Sequence, residues 1–405
     1  MDQHVFSHAD GGITAPAGFL AAGVSAGIKK SGKRDVCLIV AETPCAAAAV
    51  FTTSATAAPP VLVSREHVAG GTLKAVAVNA GNANACTGEP GMSDARAMAA
   101  AAADALGCAP HEVCVCSTGV IGVPLPLHLV TAGIAEAAGQ LDSTNGEAAA
   151  EAIMTTDTFV KQIALSVEAE GRTFTVGGIA KGSGMIQPNM ATMLAFLTTD
   201  APLSSAACDS LLREAVAKSF NRITVDSDTS TNDTCVLMAS GAEGGGMLEA
   251  GSTTYAAVAA AIAEVAIALA KMVVRDGEGA TKFVTVNVGG AASEDDAELA
   301  AFSIANSPLF KTALFGEDAN WGRVAMAVGK SGAALDPARL KIVFAGILTC
   351  ENGTAVVFDE AEAARALAAS EIDVDADLGV GDASATVWTC DLSYGYVKIN
   401  GEYRS

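Results

Sequence analysis

The sequence predicts a mixed α/β protein of layered architecture, with a smaller α/β portion from about residue 285 to residue 405. Short apolar runs of strand character alternate with alanine-rich tracts of helical period, which is the mark of layers built from both elements. The 405 residues are 51% hydrophobic and only 17% charged, enough for a sizeable core and for more than one domain. Beyond the long alanine-rich helix predicted from Thr254, strand and helix patterns begin again at Lys282.

Taken in order, residues 27–33 nearly spell a phosphate-binding loop, but Arg34 stands where a magnesium-holding Ser or Thr belongs, so the match is read as chance. Strands are predicted over 35–42 and 46–53, joined by a turn through Pro44, and over 74–79, followed by a polar loop to Asn84. Ser93 is read as the cap of a helix that stops at Gly107. A strand at 112–116 runs into Ser117-Thr118-Gly119, by residue type an ordinary turn. Helices are expected at 130–140 and 146–154. Strands at 161–169 and 172–179 form a hairpin about Glu170-Gly171, and another strand opens at Ala191-Thr192. A helix at 205–220 leads to the polar run 224–234, read as a hydrogen-bonded loop because it lacks the glycine and terminal glutamate of a calcium loop. A strand at 282–288, helical pattern within 307–330, strands 340–348 and 354–358 about Asn352-Gly353, a helix at 360–369 and further strands complete the chain.

A formal net charge of −21 excludes nucleic acid and anionic membrane as partners, because a polyanion is repelled. Residues 1–12 carry neither a basic start nor an apolar run, so no targeting leader is expected. The most membrane-like stretch, 255–270, is short, mostly alanine and interrupted by Glu264, and is read as a buried helix. The ten cysteines are scattered with no C-x-x-C pair, and Cys114 and Cys116 are expected to point to opposite faces of a strand. The expectation is a reduced, cytoplasmic protein with no metal and no cofactor.

Chemistry concentrates in residues 181–200, KGSGMIQPNMATMLAFLTTD. Gly182 and Gly184 let backbone approach a ligand, Pro188 stiffens the chain, and Thr192 stands at the mouth of a strand. By residue type alone Thr192 is an ordinary β-branched opening of that strand.

The wording of Lys181 to Leu194 closely resembles the nucleophile segment of the ornithine acetyltransferases, also called bifunctional glutamate N-acetyltransferases. The resemblance runs from GGITAPAGF near the start to the last residue. It implies a layered α/β sandwich of the N-terminal-nucleophile type, self-cleaved at Ala191-Thr192 into an α chain of 1–191 and a β chain of 192–405, in a heterotetramer of two each. It implies that Thr192 takes acetyl from N-acetylornithine and passes it to glutamate, with acetyl-CoA a further donor in some members. An N-terminal threonine suits this because its own α-amine, with a reference pKa of roughly 7.7–8.0, takes the hydroxyl proton; all five histidines precede the segment. Thr118 and Gly119 carry over as the oxyanion hole. Thr155, Lys181, Glu278, Asn400 and Ser405 carry over as substrate binders, Lys181 for the α-carboxylate. Glu278, between two glycines, is expected to hold its carboxylate clear of neighbours and to meet the distal amine. The alternative is an aminopeptidase or amidase of related fold, in which water replaces glutamate.

Overall fold

A computed structural model of the chain describes residues 4–187 and 193–402, which gather into two compact units.

The first unit is drawn from 1–182, 188–221 and 229–273. Its elements are β1 (Phe6–His8), β2 (Phe19–Val24), β3 (Val36–Phe51), α1 (Pro59–Val68), β4 (Thr72–Asn82), α2 (Gly88–Leu106), β5 (Val113–Val120), α3 (Leu127–Ala138), α4 (Gly146–Ile153), β6 (Lys161–Ala169), β7 (Arg172–Lys181), β8 (Leu194–Thr199), α5 (Ser205–Lys218), β9 (Thr234–Ala239) and α6 (Thr253–Arg275). The strands form one sheet in the order β1-β6-β7-β8-β9-β3-β4-β5, with β2 added on β3. Among the described residues, β8/β9 and β4/β5 are its parallel pairs.

Alternation along these strands explains why the sheet is covered on both faces. Cys37, Ile39, Val76, Val78, Cys114 and Cys116 enter one core with Ala149, Ala150 and Ile153 of α4. Val36, Leu38, Val40, Ala75, Ala77, Val113 and Val115 enter the other with Met98 of α2 and Val130 and Ile134 of α3. By length and composition α6 is apolar enough to cross a membrane. Yet Ala257, Val258, Ala261, Ile262, Val265, Ala266 and Leu269, at helical spacing, are fully buried in the fold. Its Val265 and Leu269 lie against Gly178 of β7, where a Cβ would stand 2.8 Å from Leu269.

The second unit is drawn from 183–187, 222–228 and 274–405. It contains β10 (Phe283–Ala291), α7 (Glu294–Ala305), α8 (Pro308–Phe315), α9 (Trp321–Gly329), β11 (Lys341–Phe344), β12 (Ile347–Glu351), β13 (Thr354–Ala355), α10 (Glu360–Leu367), β14 (Glu371–Asp377), β15 (Ala383–Cys390) and α11 (Tyr394–Gly401). The sheet order is β13-β12-β11-β14-β10-β15, with β10/β14 parallel. Val284, Val286, Val288, Ile372, Val374 and Ala376 form the core face with Ala300, Ile304, Phe310 and Val324 of the helices.

The mixed α/β expectation is met, and the 161–181 hairpin turns at Glu170 and Gly171, with φ of 51° and 75°. Elsewhere the local reading needs correction. Pro44 makes no turn: β3 is continuous, and Pro44 lies where its pairing with β4 shifts register, just before the strand takes β9 as partner. Helix α2 begins at Gly88, so Ser93 is within it and not its cap. The Ser117-Thr118-Gly119 run belongs to β5 and forms no turn. Cys114 and Cys116 share a face, as strand residues two apart must, and both enter the same core. The strand expected at 340–348 breaks at Ala345 and Gly346, both with positive φ, into β11 and β12. Helix α7 was not foreseen, and the chain's last described element is the helix α11, not a strand.

Candidate active site

In the first unit, neighbouring strand ends bring the predicted residues together. Thr118 and Gly119 lie at the end of β5 opposite Ala80 and Gly81 of β4, where the register is irregular. Gly119 takes a φ of 132°, and a Cβ on it would stand 2.3 Å from the Gly81 carbonyl carbon. Only glycine fits, so the backbone there is held close and open. Behind it, Ser117 donates to Asn79 Oδ1 at 2.6 Å, and Asn232 donates to the carbonyls of Ala83 and Ser117 at 2.6 and 2.9 Å.

Lys181 ends β7 and is only 8% exposed. Its Nζ donates to Thr118 Oγ1 at 3.4 Å, joining two residues far apart in sequence. Beside it is a group that sequence reasoning passed over. The buried Asp157 accepts from Lys161 Nζ at 2.7 Å and from the Gly182 and Thr155 N–H groups at 2.8 Å each. One carboxylate therefore anchors both Thr155 and the backbone following Lys181. Burial alone would raise Asp157, but the Lys181 and Lys161 charges, with the hydrogen bonds from Lys161 and Thr155, hold it well below the usual carboxylate range. Thr155, just past the helix expected at 146–154, is thus a neighbour of this cluster.

The near-match to a phosphate loop is filled from within. The Asp35 carboxylate accepts the N–H groups of Ala26, Ile28 and Lys29, the groups such a loop would offer a phosphate. Lys29 itself donates to the carbonyls of Arg34 and Ala152.

The second unit carries Glu278 and Asn400. The Glu278 N–H donates to the Ser183 carbonyl at 2.9 Å, and Asn400 Nδ2 of α11 donates to Glu278 Oε2 at 2.8 Å. This corrects the expectation that the Glu278 carboxylate stands clear. It is 9% exposed, and a Cβ on Gly184 would come within 2.4 Å of Oε2. Asp226, from the polar run, accepts the N–H groups of Met185 and Ile186 at 2.6 and 2.8 Å and the Tyr396 hydroxyl at 3.2 Å. Burial pushes the Tyr396 hydroxyl upward, and the negative charge of Asp226 adds to it. The run at 224–234 is accordingly hydrogen-bonded, as expected. The cleavage pair Ala191 and Thr192, and Ser405, lie outside the described residues.

The sequence-predicted residues thus divide between Thr118, Gly119, Thr155 and Lys181 in the first unit and Glu278 and Asn400 in the second. Asp157, Lys161, Asn79, Asn232 and Asp226 were missed. Of these, Asn232 and Asp226 lay in the polar run 224–234, Asn79 at the start of the polar loop to Asn84 and Asp157 in a polar turn, and none was assigned a role.

Comparison with known proteins places the chain. The ArgJ family model matches residues 20–405. The arginine biosynthesis bifunctional protein ArgJ of Symbiobacterium thermophilum is 55% identical over 397 residues, covering 98% of this chain and 99% of that protein. Its namesake from Geobacter sulfurreducens is 51% identical over 389 residues, covering 96% and 99%. A crystal structure of ArgJ from Bacillus halodurans aligns with a TM-score of 0.51 at 40% identity, covering 52% of this chain and all of the solved one.

Proposed function

The chain belongs to the ArgJ family, an acetyltransferase family of arginine biosynthesis, and we propose that it works through a threonine nucleophile, Thr192, freed by self-cleavage at Ala191-Thr192. In the first half-reaction the Thr192 hydroxyl attacks the acetyl carbonyl of N-acetylornithine, and its proton passes to the residue's own α-amine. The amide bond breaks, ornithine leaves with a proton on its nitrogen, and an acetyl-threonine ester remains. In the second half-reaction the amine of glutamate attacks that ester, giving N-acetylglutamate and restoring the hydroxyl. Both steps pass through an oxyanion, to which the Thr118 hydroxyl and the Gly119 N–H donate.

Lys181 and Thr155 take the substrate α-carboxylate; Glu278, with Asn400 and Ser405, takes the distal ammonium. The observation that carries the reading is the Lys181–Thr118 contact at 3.4 Å, which puts the carboxylate-binding lysine beside the oxyanion donor. Further support comes from the Bacillus structure, whose whole length corresponds to 52% of this chain, close to the share of residues 192–405 as a separate chain. That these relatives are described as bifunctional supports acetyl-CoA as a second donor. We extend the proposal to a cytoplasmic heterotetramer of two α and two β chains, for which light scattering of the purified protein should give four chains per particle.

The deciding measurement is the denatured mass of the protein beside that of a Thr192→Ala variant. Two fragments split at Ala191-Thr192 in the parent alone are expected. An uncut parent, or a cut variant, would sink the proposal.

A further inference from the structure

The carbonyls of Ala83 and Ser117 end on one side chain, and that side chain has no part in the chemistry above. Asn232 is 6% exposed and stands just before β9. Its Nδ2 donates to the Ala83 carbonyl at 2.6 Å and to the Ser117 carbonyl at 2.9 Å, across 149 and 115 residues of sequence. Its Oδ1 accepts the Thr231 hydroxyl at 2.6 Å. A carbonyl oxygen only accepts, so the two carbonyls fix which end of the amide is the nitrogen. Both N–H bonds of the amide are thereby used.

These contacts enclose Thr118 and Gly119 from both sides. Ser117 comes just before the pair. Just after it, the Val120 carbonyl accepts the Ala83 N–H at 3.0 Å. Asn232 therefore holds Ser117 directly and Val120 through Ala83. The sheet ladder is irregular at this point, because the β4/β5 register shifts at Gly81 and Asn82, and Asn82 faces both Thr118 and Val120. Strand β9 does not reach the pair by backbone pairing either, since β3 and β4 lie between it and β5 in the sheet. A peptide unit is planar, so gripping the Ser117 carbonyl also sets the plane that carries the Thr118 N–H. Ser117 is held a second time by its hydroxyl on Asn79, whose own amide donates to the Asn82 carbonyl at 2.9 Å.

We propose that Asn232 is a positioning residue for the oxyanion hole: by bridging the two carbonyls it fixes the aim of the Thr118 hydroxyl and the Gly119 N–H. The inference rests on the reading of those two groups as the oxyanion donors. Such donors are effective because they are already aimed at where charge develops and need not reorganise. Two neutral hydrogen bonds supply that rigidity without adding a charge to the hole.

The test compares Asn232→Ala, the same-shaped Asn232→Asp and Thr118→Val with the parent, and joins Asn232→Ala to Thr118→Val in a double variant. The readouts are the denatured mass, the urea midpoint, and kcat and KM for N-acetylornithine on the cleaved protein. A carboxylate cannot donate to two carbonyls, so Asp should lose as much as Ala. Each should lose about 100-fold in kcat with KM changed less than about 3-fold, the loss expected when a reacting group is slightly misplaced. In the Thr118→Val protein, which lacks the hydroxyl that Asn232 aims, Ala should cost less than about 10-fold more. An asparagine that only stabilises the fold would lower the urea midpoint and leave kcat alone. If Ala does not fold, Asp carries the same expectation.

An Ala or Asp variant that turns over within about 3-fold of the parent overturns the inference. So does one that raises KM alone, or a loss that simply multiplies with that of Thr118→Val. Failure of both variants to fold or to be cut also overturns it, because Asn232 then serves folding or maturation instead. A Thr118→Val protein with the kcat of the parent strikes down the reading of the oxyanion donors, and an uncut parent that of Thr192, whatever the Asn232 variants do.

Discussion

Lys161→Met removes one member of a fully buried ion pair, and the structure sets what should follow. Both side chains are 0% exposed and 2.7 Å apart, and the Lys161 ammonium also lies 4.9 Å from the centroid of the Phe159 ring. Methionine fills most of the lysine's volume, so the change isolates the charge. The Asp157 carboxylate keeps the Gly182 and Thr155 N–H groups, each at 2.8 Å, and the field of Lys181. Removing one partner of a buried pair costs about 3–5 kcal/mol. The two surviving hydrogen bonds place the loss near the lower end, about 3 kcal/mol, which lowers Tm by roughly 6–12 °C in a large domain.

The assay is urea and thermal denaturation of Lys161→Met, Asp157→Asn and the double variant at pH 7. The double variant should lose at least about 2 kcal/mol less than the sum of the singles, because no unpaired charge remains. The pH dependence has a definite sign. Asp157 is held low in the folded state, so its contribution is complete above the unfolded value of about 3.9 and is lost as pH falls through the folded value. Without Lys161 the folded carboxyl titrates closer to its unfolded value, so the window narrows from its acid end and less stability is lost on acidification. A cost under about 1 kcal/mol, or additivity within about 0.5 kcal/mol, would refute the account of Asp157 as anchor of this cluster.

Lys29 and Glu278 offer two more tests. Burial lowers Lys29 to about 8, although Asp35 and Asp157 pull the other way. The unfolded chain therefore binds more protons between about pH 8 and 10.4, and stability from this group rises across that window. Lys29→Met should flatten the rise in the urea midpoint, and an unchanged slope would contradict the burial argument. Glu278→Gln should raise KM for N-acetylornithine about 10-fold or more, the scale of one charge-assisted hydrogen bond. An N-acetylated amino acid without a distal amine should be affected less than about 2-fold; equal losses for both substrates would reject Glu278 as the ammonium partner.

What was legible in the sequence depended on how local its cause is. Glu170-Gly171 turns the β6/β7 hairpin because two adjacent residues take positive φ between alternating strands, and all of that is written within a few positions. Pro44 misled because its tolerance has a distant cause: β3 changes partners there, so a missing N–H is accommodated at the break in pairing. The ending at Tyr394–Gly401 reads by composition as strand, yet Ser393 caps it as a helix.

The candidate site divides along the same line. Thr118, Lys181 and Glu278 stand beside glycines, and that local signature, joined to the family wording, singled them out. Asp157 carries no such sign, because it acquires its role from a backbone N–H far along the chain, at Gly182. A carboxylate that accepts a distant N–H looks in sequence like any other polar residue in a turn. Burial pushes Asp233 up from the usual carboxylate range, whereas the Lys181 and Lys161 charges hold Asp157 below it. Paired with Lys161, Asp157 is held below the usual carboxylate range and keeps its charge beside Thr155 and Gly182. The charge is thus kept where it anchors Thr155 and Gly182.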